Sequence, residues 1–482
     1  MYARNRTFIR GATVKLICLV LTLASASIIR AAEHRNILLL VTDNQNRNDC
    51  GCYGNTQIRT PHIDRLAGEG VRFNYAFATT ASCGPSRAVL YTGLLTSANG
   101  QYGHGHGVHT FRLNPKVTTV FQELHNHGYH TALLGKQHLS PESQYPLTFN
   151  EPVNGRDVMN MAAVGRRFIQ NALNEDRPFC LVMGYSDPHP TSRDGHGWGI
   201  VKDFPDTPRE VYDPELLNVP SYLPDRPWVR EGLAGYYQQI SRVDAGVGRI
   251  LQVLKETGTD QNTLVIFTSD HGSSEPGAMG NHYEPGVHIP LIVRNPQQQT
   301  IPESSAMVTL ADVTPTILDW AGIQSSQKLN GRSILPVLNN PNPTGWDEVF
   351  LNHVCHEVTM YYPMRTVRNQ RYKLIWNIAW RLEFPNPIDT LSRKTWTKTI
   401  ELNETTIGKR TVHRFLFRDE LELYDLQNDP DELHNLASEP ESRDLLNQML
   451  QRLNARCKAT SDPWLERHSI PNAETYGRHN RD

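Results

Sequence analysis

The residues best suited to chemistry in this chain of 482 gather behind short apolar runs. Asn36-Ile-Leu-Leu-Leu-Val-Thr42 runs into Asp43 and Asn44, and His130-Thr-Ala-Leu-Leu134 leads to Lys136 and His138. The run 179–183 leads to Asp187 and His189, and the run 263–268 to Asp270 and His271. Each run has the length and composition of a buried strand. One acid at one strand end is commonly a helix cap. Four such ends together read as a site. Oxygen ligands from Asp43, Asn44 and Asp270 suit a hard cation, Ca²⁺ more often than Mg²⁺, and His271 would add a nitrogen less typical of calcium.

Cys83 lies in Ala81-Ser-Cys-Gly-Pro-Ser-Arg-Ala-Val-Leu-Tyr-Thr-Gly93. Pro85 suits the first turn of a helix, which puts Cys83 at or just before the helix N-terminus. Unpaired N–H groups and the helix dipole there favour an anion and a depressed thiol pKa, and Arg87 would face the same anion. Taken alone, Cys83 also fits a buried structural thiol. The remaining cysteines (Cys18, Cys50, Cys52, Cys180, Cys355 and Cys457) are irregularly spaced, so no dense disulfide framework is readable. Cys50 and Cys52 lack the second pair a zinc site needs, and His104, His106 and His109 read as a Gly-rich loop near the site mouth.

These residues need a frame of alternating strands and helices. Helical spacing runs over 117–127 and again over 233–254, stopped by Gly128 and Gly258. Strand–helix alternation argues for an α/β fold, a mostly parallel sheet covered on both faces, with ligands beyond the carboxyl ends of its strands. A Pro-rich loop spans 205–227, and 336–343 reads as a linker. Beyond it, short runs such as Arg371-Tyr-Lys-Leu-Ile-Trp376 alternate with turns, and a helix near 442–457 closes a smaller α+β domain. The expected division is 33–345 for the large domain and 346–482 for the small one. Residues 1–32 carry Arg4, Arg6 and Arg10 before an apolar stretch and then Ala31-Ala32, the layout of a signal peptide for a secreted or periplasmic protein. A formal net charge of −2 gives no bulk attraction to nucleic acid or to anionic membranes, and no later segment is apolar enough to span a bilayer.

Cys83-x-Pro85-Ser86-Arg87 followed by Thr92-Gly93 resembles the signature of type I sulfatases, as does Thr60-Pro-His-Ile-Asp-Arg-Leu66. The resemblance covers nearly the whole mature chain. It implies an alkaline-phosphatase-like fold, one Ca²⁺ held by Asp43, Asn44, Asp270, His271 and position 83, and Cys83 oxidised to formylglycine by a formylglycine-generating enzyme. The hydrated aldehyde would attack sulfur, with Arg87 and Lys136 on the sulfate, His138 as proton acceptor and His189 protonating the leaving group. Segments 99–109, 185–190, 314–320, 356–365 and 422–425 resemble the branch that removes N-sulfate from the glucosamine of heparin- and heparan-type glycans. That implies a sulfated saccharide substrate, with His356, Glu357 and Arg365 in its pocket; Glu357 and Arg365 fit an interdomain salt bridge equally well. A homodimer is a further expectation.

The chain departs from the family at two places. Met279 stands where a second Lys or Arg on the sulfate is usual, with His282 the nearby substitute, and Asn44 replaces a metal-binding Asp. The alternatives are an O-sulfatase, a phosphodiesterase or phosphonate hydrolase of the same superfamily, and a secreted glycan-binding protein whose cysteine is never oxidised.

Overall fold

Seven strands form the main sheet in the computed structural model of the chain, which describes residues 35–190, 203–298 and 301–466. They are β1 (Asn36–Thr42), β2 (Val71–Phe77), β3 (His130–Gly135), β4 (Phe179–Gly184), β5 (Thr263–Ser269), β6 (Leu291–Arg294) and β7 (Glu303–Thr309). Their order is β3-β4-β1-β5-β6-β2-β7. The four apolar runs of the sequence stand side by side and parallel as β3-β4-β1-β5. β6 runs antiparallel to β5 and to β2, and β7 parallel to β2. The sheet is mostly parallel as expected, with one reversed strand that the apolar runs did not distinguish.

β1 shows why both faces must be covered. Ile37, Leu39 and Val41 face one buried cluster and Leu38 and Leu40 the other, the period-two alternation of a strand between two layers. α1 (Pro61–Glu69), α4 (Val158–Asn174) and α5 (Pro227–Glu256) supply the second cluster through Ile63, Phe168 and Val247, among others. α2 (Cys83–Thr92), α3 (Val120–Asn126) and α6 (Val313–Ala321) supply the first through Val89, Phe121 and Ile317. α3 is shorter than the 117–127 pattern because Thr119 and Gln122 form a capping box that fixes its start. The segment 336–343 is no free linker: Ser305 N–H donates to Pro341 O at 2.7 Å, pinning it along β7.

A second, antiparallel sheet contains β8 (Glu348–His353), β9 (Met364–Asn369), β10 (Tyr372–Asn377) and β11 (Leu421–Asp425), in the order β11-β10-β9-β8. α7 (Arg443–Ala459) covers it, packing Leu446, Met449, Leu450 and Leu453 against Val367, Leu374 and Trp376. Residues 1–32, the expected leader, lie outside the described residues. Among the described residues no helix is long and apolar enough to cross a membrane.

Arg365 on β9 ties this sheet to the chain beyond α7. Its guanidinium, 2% exposed, donates to Asp462 Oδ2 at 2.5 Å and Oδ1 at 2.9 Å and lies 4.9 Å from the Trp464 ring. Its Nη1 donates to the carbonyls of His353 and Met364. Removing one member of such a buried pair strands the other charge. Arg365→Met is therefore expected to cost about 3–5 kcal/mol in urea unfolding, most of it recovered when Asp462 becomes Leu as well. A single variant as stable as the parent would show that the pair does not hold the sheet.

Candidate active site

α2 begins with Cys83 itself, capped at Ser82 and ended by Gly93 at φ 67°, a left-handed value that glycine adopts without strain. All ten residues of α2 are buried. Pro85 sits where a backbone N–H would lack a helical partner anyway. Ser82 makes no side-chain cap bond, because its hydroxyl is paired with His356 Nδ1 at 2.9 Å.

The four strand ends converge on Cys83. Its Sγ lies 3.1 Å from His271 Nε2, 3.5 Å from Asp43 Oδ1 and 3.8 Å from Asn44 Oδ1. Potential ligand atoms of Asp43, Cys83, Asp270 and His271 all stand within 4.8 Å of one another, and all four residues are buried. Asn44 holds φ 70°, a left-handed value that Asn tolerates better than most residues, and Tyr236 of α5 fixes it with a hydroxyl bond to Asn44 O at 3.0 Å. Asp270 Oδ1 accepts from the backbone N–H groups of Asn44 (3.1 Å) and His271 (2.9 Å). His271 Nδ1 faces Gly272 O at 2.8 Å; as the donor there, it leaves Nε2 with a lone pair toward Cys83. Burial lowers the His271 pKa, so the ring is held neutral, as a ligand must be.

Two cations balance the two carboxylates. Arg87 Nε donates to Asp270 Oδ2 at 2.9 Å, with both side chains fully buried, and Lys136 is ion-paired with Asp43. Burial works to raise the Asp43 pKa, but Lys136, His189 and Arg87 hold it well below the usual carboxylate value. The cluster fits a hard divalent ion: two carboxylates and an amide oxygen are the donors such ions take, and Asn44 brings its Oδ1 to 3.8 Å from Cys83 Sγ. One expectation fails here. Burial, reinforced by Asp43 and Asp270, pushes the Cys83 thiol pKa well above its ordinary value despite the helix N-terminus and Lys136, so the free cysteine is no thiolate.

The histidines occupy one side of this cluster. His138 (φ 53°) has a buried Nδ1 without a partner among the described residues, and burial and Lys136 depress its pKa well below the usual value. His189 is carried on a turn tied by Asp187, which pairs with Arg156 and with Arg242 Nε at 2.6 Å. Asp187 thus positions the turn rather than facing Cys83. His356 is buried and contacts His104 Nε2 at 3.1 Å. Within the Gly-rich loop His104 is therefore packed against the site; His106 beside it is exposed, and Glu357 is half-buried nearby.

Two expected residues lie elsewhere. Arg365 is committed to Asp462, as described above. His282 is fully buried and bonds Thr366 Oγ1 through Nδ1 at 2.7 Å, and burial holds its pKa well below the usual value, so the ring is a poor substitute for a Lys or Arg cation. Met279 is buried too. Sequence patterns do not mark Asp389, whose carboxylate stands 3.7 Å from both His189 Nε2 and His356 Nε2. It sits in a four-residue helix, Ile388–Leu391, that follows Pro387, where neither spacing nor periodicity distinguishes it.

A parallel sheet with paired acids, a helix-borne cysteine and flanking cations at its carboxyl edge is the arrangement of a sulfatase, and comparison agrees. The sulfatase family profile matches residues 35–323, and the profile described as N-sulphoglucosamine sulphohydrolase, C-terminal, matches 280–383. The chain belongs to the sulfatase family. Among its relatives, human N-sulphoglucosamine sulphohydrolase is 37% identical over 468 residues, covering 90% of this chain and 92% of that protein. An ulvan-active sulfatase of Formosa agariphila is 30% identical, covering 89% of this chain and 81% of its own. A protein solved in complex with its substrate D-glucosamine-2-N,6-O-disulfate shares the fold at TM-score 0.65, with 23% identity over 89% of this chain and 98% of its own.

The depressed Asp43 pKa has a sign that can be checked. An unfolded Asp titrates near 3.9, so the pair contributes stability above that pH and loses it as pH falls toward the lower folded value. In EDTA-treated protein, Asp43→Asn is expected to flatten the fall of Tm between about pH 5 and pH 3. An unchanged slope would mean that the Lys136–Asp43 pair does not persist in solution.

Proposed function

We propose that the protein hydrolyses the N-sulfate of a glucosamine unit in heparin- or heparan-type glycans, using a formylglycine made from Cys83 and one bound Ca²⁺. The observation that carries this is the convergence of Asp43, Asn44, Asp270 and His271 on Cys83, with Arg87 and Lys136 alongside. The relationship to the human enzyme, over nine-tenths of both chains, supports the N-sulfate. When bound, the metal ion supplies Lewis-acid polarisation, and the aldehyde hydrate supplies an oxygen nucleophile in place of a thiol that burial keeps protonated.

The chain's own residues do the rest. Arg87, whose Nη2 has no hydrogen-bond partner of normal geometry among the described residues, and Lys136 hold the sulfate oxygens and match the charge that grows on them. His138 accepts the proton at position 83. His189 protonates the departing nitrogen; its Nδ1 is held by Pro190 O at 3.0 Å, and Asp389 stands 3.7 Å from its Nε2. His356 and Glu357 border the sugar side. Contribution of His356 and Asp389 to the site supports a division at 345/346 in which the second unit completes the pocket. Cys83 is 2% exposed, so oxidation by a formylglycine-generating enzyme precedes folding. Export through the 1–32 leader and a homodimer belong to the same proposal.

Peptide mass spectrometry across Cys83 tests the first step: conversion to the aldehyde loses about 18 Da, whereas the sulfur oxidation ladder gains oxygen. Release of sulfate from N-sulfoglucosamine, compared with O-sulfated sugars and aryl phosphates, tests the substrate; preference for an O-sulfate would move the assignment to that class. His189→Gln is expected to lower kcat about 10²–10⁴-fold.

Asp389 allows a finer test through pH. Burial lowers the His189 pKa, while Asp43 and Asp389 raise it. Asp389→Asn should therefore lower it further and move the basic limb of the kcat profile to lower pH. A basic limb that stays in place would sink the assignment of His189 as general acid.

A further inference from the structure

The described residues contain a second group of potential metal ligands, made only of histidine. One ring nitrogen from each of His104, His106 and His138 lies within 4.8 Å of the other two. The rings lie close together, tilted or edge-on, with centroids 4.7 Å apart for His104 and His106, 5.0 Å for His106 and His138, and 5.4 Å for His104 and His138. Three imidazoles are a poor site for a hard ion and a good one for a borderline ion.

Two features make this more than crowding. Nδ1 of His104, a residue 4% exposed, and Nδ1 of His138 are both buried without a hydrogen-bond partner among the described residues. Such groups are costly unless something pairs with them. His104 is also held from behind, by the 3.1 Å contact to His356, which is in turn fixed by Ser82. Support of this kind orients a ligating imidazole. The close approach needs glycine between the two loop histidines: a Cβ at Gly105 would stand 2.3 Å from the Ser140 side chain and 2.6 Å from Phe111 O. His106 is exposed and forms no side-chain hydrogen bond among the described residues, so its ring is free to turn inward from a solvent-open side. Nitrogens on one tetrahedral zinc stand about 3.3 Å apart; rotation of His106 can shorten its own two separations, and the His104–His138 separation must close by movement of those two rings.

We propose that His104, His106 and His138 form a second metal site, distinct from the oxygen-rich cluster at Cys83, that takes a borderline divalent ion such as Zn²⁺ or Co²⁺ with an open coordination position. Occupancy ties up His138, so the ion acts as a reversible brake on turnover. That consequence rests on the function proposed above; the site itself does not.

The test is Co²⁺ titration of the full-length protein in excess Ca²⁺, followed by visible absorption, with Zn²⁺ titration calorimetry in parallel. One equivalent should bind with the intense bands of low-coordinate Co²⁺. His106→Asn should weaken binding at least tenfold, about 1.4 kcal/mol, and His125→Asn on α3 should leave it unchanged. His106 is exposed, so its variant carries the decision, with a thermal melt confirming that it folds. Absence of the bands, or equal affinity in His106→Asn, would overturn the site whether or not the protein turns over a sulfated sugar. Bands with no Zn²⁺ inhibition would keep the site and remove the brake.

Discussion

Two carboxylates and two cations buried together at one edge of a sheet set the terms for the rest of the molecule. Asp43 and Asp270 are fully inaccessible, Arg87 likewise, and Lys136 nearly so. Isolated charges in such a place cost several kcal/mol each, and only close pairing and hydrogen bonds on the remaining lone pairs offset that. The strand order β3-β4-β1-β5 meets the condition, because it delivers Lys136, Asp43 and Asp270 from parallel strands whose carboxyl ends lie on one side. α2 then has to enter from the covering layer with Arg87 pointing at Asp270. The cluster is close to neutral by itself. A divalent ion added to it leaves a net positive site, which is what an anionic sulfate ester or sulfamate needs.

The second sheet is joined to this site by hydrogen bonds, not only by apolar packing. Ser82, the residue before Cys83, is held by His356, which lies just beyond β8, and Asn352 N–H of that strand donates to Thr79 O. Asp389 lies between His356 and His189, so one carboxylate from the C-terminal region faces a histidine from each sheet. The position of His189 therefore depends on how the two sheets meet. Arg365 matters in the same indirect way, fixing β9 to the chain after α7 while touching none of the Cys83 cluster.

Much of this was legible in the sequence because the governing patterns are local. An apolar run ending in Asp43 marks both a buried strand and its polar edge, and Pro85 marks the start of a helix within a residue or two. What was not legible depended on contacts between distant segments. Nothing around Asp389 signals its partners, which are 200 and 33 residues away in the chain. Arg365 and His282 looked available because the sequence hides the buried acid and the threonine that occupy them. The raised Cys83 pKa has the same origin: the helix N-terminus is visible locally, whereas burial between two acids brought in from other strands is not.

Met279 bears on how strongly the site can hold an anion. Its segment is tied against the loop before Cys83, with Gly280 N–H donating to Ala81 O at 2.8 Å, and its side chain is 1% exposed. A thioether there contributes no charge, and burial disfavours the charged form of His282, whose Nδ1 bonds Thr366. In the mechanism proposed above, the side-chain cations left to face an anion are Arg87 and Lys136. An apolar neighbour also keeps water out, and charge pairs weaken steeply as the local dielectric rises. Fewer cations in a drier site is a workable arrangement for a group that carries a single negative charge. It favours a sulfamate or sulfate monoester over a phosphate dianion, the same direction in which the family relationship points.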